Sequence, residues 1–373
     1  MNKMELGIYI HIPFCVRKCN YCDFISYANK QEKIETYINC MIKEIDKFDF
    51  ENFYITTIYI GGGTPSFIDE KYIKLIAEKI KSKIDLKTVK EFTIEVNPGS
   101  ADKEKLKEYK EFGINRLSIG LQSTDNKLLK EIGRIHTFEE FYETYMDAKS
   151  VGFENINVDL MIGLPNQTIE NVQESVKKVI ELEPKHISTY SLIVEEGTVM
   201  ASDIKQGLLK LPEDDIEREM YWYVKKTLES NGYIHYEISN FVKKGFESKH
   251  NMNCWEQKQY IGFGISAHSY IDNVRFANTN ILEEYCTNFD KKIIEEKQTI
   301  EDMQKEYMIL GLRKISGIEI KKFKEKFSIN PIMLYRKELE KLIKQNLIQI
   351  DGDVIKLTNK GIDFANIVWE EFV

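Results

Sequence analysis

The sequence of 373 residues has no apolar run that approaches the roughly 18–20 residues a membrane span requires. Its start, MNKMELGIYIHIPF, has too short an apolar stretch for a secretory signal, and Glu5 and Pro13 interrupt it. It also lacks a basic face, because the net charge is -8 and lysines and glutamates are mixed along the predicted helices. These absences predict a cytoplasmic protein with no nucleic-acid partner and at most peripheral membrane contact.

Cysteine is scarce, with six in the whole chain, whereas hydrophobic residues at 42% and aromatics at 12% suffice for a buried core. Six cysteines in a long chain without a secretory signal indicate a reducing compartment, where clustered thiols favour metal binding or catalysis over disulfides. Three of the six, Cys15, Cys19 and Cys22, fall within the eight residues CVRKCNYC, and the other three are scattered. The short cluster therefore marks a candidate site.

Apolar, β-branched runs alternate with amphipathic stretches through the first half of the chain. Six strand–helix units in series predict an α/β fold with a parallel sheet, built as an open, partial (β/α)6 TIM-like barrel. The predicted strands are Gly7–Ile12, Ile55–Ile60, Glu91–Val96, Arg116–Leu121, Asn155–Ile162 and His186–Ile193. The predicted helices are Ile34–Phe48, Lys71–Ile84, Lys103–Phe112, Phe138–Val151 and Ile169–Leu182, with Gly113 and Gly152 as C-terminal caps of two of them.

Glycine-rich or polar segments follow all six predicted strands. In chain order they are HIPFC, GGGTPS (61–66), VNPG (96–99), GLQS (120–123), MIGLP (161–165) and VEEGT (194–198). Because the carboxyl ends of parallel strands carry the active site in such folds, the six segments are expected to converge on one rim. Any one of them alone would be an ordinary turn.

The alternation fades after residue 210. Segments 231–241 and 258–270 are predicted to add strands and a glycine loop that close the open side of the barrel. From about residue 290 the chain turns to charged helices and a short hairpin around Asp351 and Gly352, in the order of a winged-helix-like α+β module. The predicted domains are a core barrel at 1–235, a barrel-closing extension at 236–290 and a C-terminal module at 291–373.

The C-x3-C-x2-C spacing lets the three thiolates surround one metal or one cluster within a tight loop. Three ligands do not complete a structural zinc site, which would need a fourth such as His11, nor the four-cysteine set of an electron-transfer cluster. A cluster with three protein ligands keeps one iron open, and open coordination makes a metal site reactive. A zinc site or a chance grouping of thiols remains the alternative.

The stretch YIHIPFCVRKCNYC resembles the radical S-adenosylmethionine (SAM) enzymes. GGGTPS, IEVNPG, GINRLSIGLQS, IGRIH, NVDLMIGLPNQT and YEISNF extend the resemblance over most of the chain, to the branch with oxygen-independent coproporphyrinogen oxidases and heme chaperones. The resemblance implies that Cys15, Cys19 and Cys22 hold a 4Fe–4S cluster whose fourth iron is chelated by SAM. It further implies that an electron from the cluster cleaves SAM into methionine and a 5′-deoxyadenosyl radical.

The same resemblance implies a set of SAM contacts. Tyr9 and Tyr21 would flank the cluster and SAM, and Gly62, Gly63 and Thr64 would contact the methionine moiety, where glycine lets the backbone approach. Glu95 would hydrogen-bond the ribose, and Gln122, Arg134 and Asp159 would line the pocket. From the residues alone, Asp159 fits an internal polar network equally well, and Arg134 fits the surface. No catalytic residue is predicted.

Two features separate the oxidases from the chaperones within this branch. The oxidases carry an extra cysteine two residues after the third one, where this chain has Phe24, and a longer N-terminal extension. The segment HNMNCW (250–255) resembles a chaperone motif linked to heme, which makes His250 the candidate axial ligand. Cys254 stands where that family has tyrosine. His268, in a glycine loop that also resembles the chaperones, alone fits a structural histidine.

Together these features predict a heme chaperone that binds a 4Fe–4S cluster, SAM and heme b. It would pass heme to apo-hemoproteins such as respiratory enzymes, would need an electron donor for its cluster, and is compatible with a homodimer. Coproporphyrinogen oxidase activity is not expected. The alternatives are an oxidative decarboxylase of coproporphyrinogen III and a radical SAM enzyme acting on another substrate.

Overall fold

The computed structural model describes residues 3–373, so the first two residues of the predicted core domain lie outside the described range. Six strand–helix units form the first half of the chain, as predicted. The strands are β1 (Met4–Ile12), β2 (Phe14–Cys15), β3 (Tyr27–Ala28), β4 (Phe53–Gly62), β5 (Glu91–Val96), β6 (Arg116–Gln122), β7 (Asn155–Ile162) and β8 (His186–Ser191). The helices between them are α1 (Ile34–Lys47), α2 (Glu70–Lys81), α3 (Lys103–Glu111), α4 (Asn126–Glu131), α5 (Phe138–Ser150) and α6 (Ile169–Leu182).

Local sequence accounts for the helix ends. Thr137 and Thr168 begin α5 and α6 with reciprocal capping boxes, which satisfy backbone donors that a helix start otherwise leaves free. Gly113 and Gly152 follow α3 and α5 at φ +92° and +89°, the left-handed conformation that a C-terminal cap requires. The predicted caps are therefore present.

The central sheet follows the order β1-β4-β5-β6-β7-β8, and every neighbouring pair in it is parallel. Each connection between consecutive strands of this series carries at least one helix, as parallel pairing demands. All seven residues of β6 are buried, because helices cover one face and the site described below lies against the other.

The later strands extend both edges of this sheet. They are β9 (Ile234–Glu237), β10 (Asn240–Val242), β11 (Tyr260–Phe263), β12 (His268–Ile271), β13 (Val274–Asn278) and β14 (Lys292–Lys297). The pair β10-β9 joins the β8 edge, and β11-β12-β13-β14 joins the β1 edge, to give twelve strands. Within residues 3–373 the terminal strands β14 and β9 do not pair with each other, as an open, partial barrel requires, and the division into a core, a barrel-closing extension and a C-terminal module stays a prediction.

The remaining elements are helical apart from a small sheet of three strands, ordered β15-β17-β16. Its strands β15 (Ile318–Glu319), β16 (Ile348–Asp351) and β17 (Val354–Leu357) include the hairpin expected around Asp351 and Gly352. The helices are α7 (Val199–Lys205), α8 (Asp214–Ser230), α9 (Lys249–Trp255), α10 (Leu282–Thr287), α11 (Ile300–Gly311), α12 (Ile320–Phe327), α13 (Pro331–Leu334), α14 (Arg336–Lys344), α15 (Asn359–Asp363) and α16 (Ala365–Glu370). From residue 3 onward, no helix combines the length and apolarity of a membrane span.

Candidate functional site

A cavity of about 410 Å³ opens at the carboxyl ends of the central strands. Five of the six segments predicted to form the rim contribute to its wall, whereas VEEGT (194–198) does not. Side chains from β4, β5, β6, β7 and β8 face it, so the sheet curls around this space as a partial barrel does. The residues of the cysteine loop that line it are Cys15, Arg17, Lys18, Cys19, Tyr21, Cys22, Phe24 and Ser26.

The three clustered thiols lie at this cavity, and all six cysteines of the chain are free. Cys15 ends β2, which pairs with β3 and folds the loop back on itself. The Thr64 hydroxyl donates to Cys15 Sγ at 3.4 Å, and Arg134 Nη1 donates to Cys19 Sγ at 3.7 Å. Burial raises the pKa of Cys15 and of Cys22, so these thiols stay protonated at neutral pH until a positive group draws them into the thiolate form.

The cysteine loop and the glycine segment leave room for a compact inorganic group. In the described part of the chain, no three His, Cys, Asp or Glu side chains converge on a single ion. A cluster does not require such convergence, because each cysteine ligates a different iron. At Gly63 a Cβ atom would lie 3.0 Å from Cys15 Sγ and 2.9 Å from the Pro13 carbonyl carbon, so only glycine permits this approach. The residues present fit a cluster.

Glu95 lines the same cavity as the three cysteines. Its carboxylate accepts hydrogen bonds from the Tyr59 hydroxyl at 2.8 Å and from the Gly62 amide at 3.1 Å. Burial raises the pKa of Glu95 to about 7, and the Asp159 carboxylate also raises it, while the two hydrogen bonds act in the opposite direction. Gly62 has φ +114°, and a Cβ there would clash with the His11 ring at 2.6 Å, so this position also requires glycine.

Gln122, Arg134 and Asp159 all line the cavity. Gln122 has φ +64°, and its buried Oε1 has no hydrogen-bond partner within the protein. Arg134 is half-buried and donates to Asn97 Oδ1 at 3.0 Å and to the Gly120 carbonyl at 2.8 Å, so it is not a surface arginine. Asp159 accepts from Asn157 and Ser118, which places it in the cavity wall and in an internal polar network at once.

The two predicted tyrosines differ in position. Tyr21 lines the cavity, whereas Tyr9 lies outside its wall, where its hydroxyl is 2.9 Å from His11 Nδ1. His11 also places Nε2 2.9 Å from the Ile25 carbonyl. Both imidazole nitrogens are therefore engaged away from the cysteines, and the geometry does not offer His11 as a fourth ligand.

His250 lies in α9 and does not line the cavity. Its side chain is buried, with only 7% of the residue exposed, and Nδ1 lies 3.0 Å from Thr57 Oγ1. Its ring stacks on Tyr59 with a centroid distance of 5.2 Å, so Tyr59 stands between the imidazole and the cavity. Burial lowers the pKa of His250 to about 4, which keeps the imidazole neutral. Axial ligation of heme by His250 stays a prediction and would require this packing to open.

The other two residues of the chaperone-like segments lie elsewhere. Cys254 is half-buried outside the cavity, and burial raises the pKa of its thiol to about 11. His268 has a largely exposed side chain whose Nδ1 lies 3.1 Å from the Glu295 carboxylate. His268 is therefore an exposed residue with a carboxylate partner, and this position is compatible with the structural role expected of it.

Several residues of the wall were not singled out in the sequence: Tyr59, Asn97, Ser118, Met161 and Tyr190. Tyr59 could have been found, because it lies two residues from both Thr57 and Gly61 and therefore shares one face of β4 with them. Asn97 and Met161 belong to the segments VNPG and MIGLP that were predicted to form the rim. Ser118 and Tyr190 lie within predicted strands, and no local pattern distinguishes them from ordinary strand residues.

Two family descriptions match the chain: "Radical SAM superfamily" over residues 9–179 and "HemN C-terminal domain" over residues 299–364. Among curated proteins, the heme chaperone HemW of Lactococcus lactis is 40% identical over 98% of this chain and 96% of that protein. The heme chaperone HemW of Bacillus subtilis is 38% identical over 98% of both chains. The heme chaperone HemW of Escherichia coli is 31% identical over 99% of this chain and 98% of that protein.

Among solved structures, the coproporphyrinogen III oxidase HemN of Escherichia coli, described as a radical SAM enzyme, superimposes with a TM-score of 0.87. The similarity covers 99% of this chain and 90% of that chain at 22% sequence identity. At this identity the similarity concerns the fold alone. It extends over the whole chain, including the strands beyond the six parallel ones.

Proposed function

The chain belongs to the HemW heme chaperone family of radical SAM proteins, and on that premise we propose that it binds heme and delivers it to apo-hemoproteins. Support comes from three curated relatives of that name, each matched over nearly its full length. Recipients would include respiratory enzymes, and the cluster would need an electron donor. The free thiols fit a reducing cytoplasm, where we place the protein, and a homodimer is compatible with the proposal.

Membership of this superfamily implies a 4Fe–4S cluster and SAM, and the cavity has the residues for both. We propose Cys15, Cys19 and Cys22 as cluster ligands, with the Arg134 guanidinium compensating negative charge beside Cys19. When bound, the cluster would supply an electron to the SAM held beside it. Glu95 would accept hydrogen bonds from the ribose, and the unpartnered Gln122 Oε1 would accept one from SAM.

The methionine moiety would lie along the glycine segment at Gly62, Gly63 and Thr64, where missing side chains expose the backbone. Tyr21 and Asp159 line the same space, and we retain both as SAM-pocket residues. Tyr9 pairs with Tyr59 across the neighbouring strands β1 and β4 and would act on the pocket through its stack on that ring, at 6.3 Å. Every cavity residue predicted from the resemblance is thus assigned a place around the cluster or SAM.

Phe24 is the observation that favours a heme chaperone over a coproporphyrinogen oxidase. The resemblance places a cysteine there in the oxidases, whereas this chain has a phenylalanine that lines the cavity and is 63% exposed as a residue. Lys18 donates to the Phe24 backbone carbonyl at 2.9 Å and lines the same cavity. An exposed apolar side chain and a cation in one cavity wall suit a porphyrin face with its carboxylate substituents.

The experiment is a heme titration of the anaerobically reconstituted full chain, followed by Soret absorbance, with a parallel assay of carbon dioxide release from coproporphyrinogen III. Saturable heme binding without carbon dioxide release is expected. Carbon dioxide release without heme binding would overturn the proposal in favour of the decarboxylase. Release of 5′-deoxyadenosine coupled to turnover of another substrate, without heme binding, would favour a different radical enzyme.

Phe24→Ala tests the location of heme within that assay. Loss of the exposed ring should weaken heme affinity roughly threefold to tenfold, from the contact area a phenyl side chain provides. The matched control is Met333→Ala, which removes another exposed apolar side chain outside the cavity and should leave heme affinity unchanged. Equal heme affinity in both variants and the unsubstituted protein would contradict a role for Phe24.

A further inference from the structure

We infer that His250 is a positioning residue of the SAM pocket, acting through Tyr59 on Glu95. The inference rests on the proposed assignment of the cavity to SAM. It assigns His250 a role that differs from heme ligation and that its buried position allows without any rearrangement of the barrel.

The first contact is between His250 and Tyr59. The two rings stack with centroids 5.2 Å apart and planes 29° from each other. Tyr9 stacks on Tyr59 as well, at 6.3 Å and 27°. The Tyr59 ring is thus flanked by two aromatic neighbours that do not line the cavity, and aromatic pairs of this kind add stabilisation beyond simple burial.

The second contact is between Tyr59 and Glu95. The Tyr59 hydroxyl donates to Glu95 Oε1 at 2.8 Å. Gly61 leaves the space that this pair needs, because a Cβ atom on Gly61 would lie 2.9 Å from Tyr59 Cε1 and 3.0 Å from the Glu95 carboxylate. Because the Tyr59 hydroxyl is hydrogen-bonded to Glu95, a shift of the Tyr59 ring would disturb the carboxylate that we assign to the ribose.

Hydrogen bonds hold both the backbone and the ring of His250 in place. Glu91 accepts hydrogen bonds from the backbone amides of Lys249 at 2.8 Å and of His250 at 3.1 Å, which holds the first turn of α9 against the start of β5. Thr57 Oγ1 lies 3.0 Å from His250 Nδ1 and sets the rotation of the imidazole. The ring is therefore a fixed support rather than a mobile side chain.

A second series of contacts connects the same helix to the other acid of the pocket. The Ser248 amide donates to the Tyr236 hydroxyl at 3.3 Å, and that hydroxyl lies 2.8 Å from His186 Nε2. His186 Nδ1 lies 2.6 Å from Asn157 Oδ1, and Asn157 Nδ2 donates to Asp159 at 2.7 Å. The start of α9 thus joins two acids of the cavity wall by separate routes, which fits a helix that sets their positions.

The experiment measures SAM affinity by anaerobic titration calorimetry of the reconstituted full chain. His250→Ala should weaken SAM binding roughly threefold to tenfold, the size expected for loss of an aromatic pair, while iron and sulfide content stay unchanged. His250→Phe keeps a ring beneath Tyr59 but has no nitrogen to ligate iron. It should restore most of the SAM affinity, which a purely structural or heme-ligating role would not predict.

A double-mutant cycle with Tyr59→Phe tests whether the effect of His250 on SAM affinity passes through Tyr59. Because Tyr59 transmits the effect, the loss of affinity in the double variant with His250→Ala should be smaller than the sum of the two single losses. The matched control is His235→Ala, which removes another buried histidine stacked on an aromatic ring, Phe241, outside the cavity. It should leave SAM affinity unchanged.

SAM affinity of His250→Ala within twofold of the unsubstituted protein, or His250→Phe as weak as His250→Ala, would overturn the inference. Should His250→Ala fail to fold, Thr57→Val replaces it, since it frees the imidazole without removing it; unchanged SAM affinity would then contradict the inference. Failure of the unsubstituted reconstituted protein to bind SAM would instead overturn the proposed function.

Discussion

Arg134 and Cys19, 115 residues apart in the chain, meet across 3.7 Å between guanidinium Nη1 and thiol Sγ. The guanidinium is fixed in that position by Asn97 Oδ1 and the Gly120 carbonyl, both at the ends of central strands. A fixed cation beside a cluster ligand stabilises the reduced, more negative state of an iron–sulfur centre.

Replacement of Arg134 should therefore change the cluster's redox behaviour. Arg134→Gln is expected to move the reduction potential to more negative values, on the order of tens of millivolts, because a positive charge and a hydrogen bond to sulfur are lost. Potentiometric titration of the reconstituted protein followed by its visible absorption measures this. Arg336→Gln, at an exposed arginine paired with Glu340, is the control and should leave the potential unchanged.

The cysteine assignment predicts an all-or-none pattern. Cys15→Ala, Cys19→Ala or Cys22→Ala should each abolish the full cluster and its brown absorption, because three thiolates are the whole protein ligand set. Cys254→Ala should retain it, since that thiol lies outside the cavity. Iron and sulfide analysis after anaerobic reconstitution measures the cluster content of each variant. A complete cluster in any of the first three variants would show that the replaced cysteine is not a ligand.

Glu95 predicts a pH dependence for SAM binding. Burial raises the pKa of Glu95 to about 7, so the carboxyl is protonated below that pH and accepts hydrogen bonds from a ribose poorly. SAM affinity should fall as pH decreases, by about tenfold between pH 8 and pH 6. In Glu95→Gln, the part of this pH dependence that comes from Glu95 should be absent.

The amino group of SAM titrates in the same range, so the difference between the two pH profiles isolates the contribution of Glu95. Titration calorimetry across that interval provides both curves. Identical slopes in Glu95→Gln and the unsubstituted protein would show that Glu95 does not set the dependence.

Glu44 lies outside the cavity, and we expect its replacement to lower the stability of the protein strongly. Its buried carboxylate in α1 accepts hydrogen bonds from the Gly264 amide, Asn278 and Tyr285, and pairs with Lys292. Glu44→Ala should lower the free energy of unfolding by about 3 kcal/mol, because these donors lose a common partner.

Urea unfolding of the cluster-free protein measures this change. Asp46→Ala is the matched control in the same helix, since Asp46 pairs with Lys79 and Lys83 at the surface. Its removal should change stability little, because water and salt screen exposed pairs. A loss in Glu44→Ala no larger than in Asp46→Ala would contradict the predicted role of Glu44.

Local pattern was sufficient for the regular part of the fold. The strands Glu91–Val96 and Asn155–Ile162 and the helix Ile169–Leu182 have the predicted bounds, because side-chain periodicity and capping residues act within a few positions of each other. Of the later strands, β9 to β12 fall in or overlap the segments foreseen as strands, 231–241 and 258–270, whereas β13 and β14 were not foreseen, and no pairing was predicted for any of them. A strand's own residues show that it can pair, whereas its partner depends on which sheet edge the connecting chain can reach.

The sequence alone determined the C-x3-C-x2-C loop, the six parallel units and the segments that follow their strands, because each rests on short-range spacing. Only the tertiary structure decided that Arg134 lies against Cys19, that Tyr9 stacks on Tyr59, and that the buried His250 stacks on Tyr59 as well. These are contacts between elements distant in the chain. They depend on how the sheet curls and on how α9 packs against it, and no local pattern encodes either.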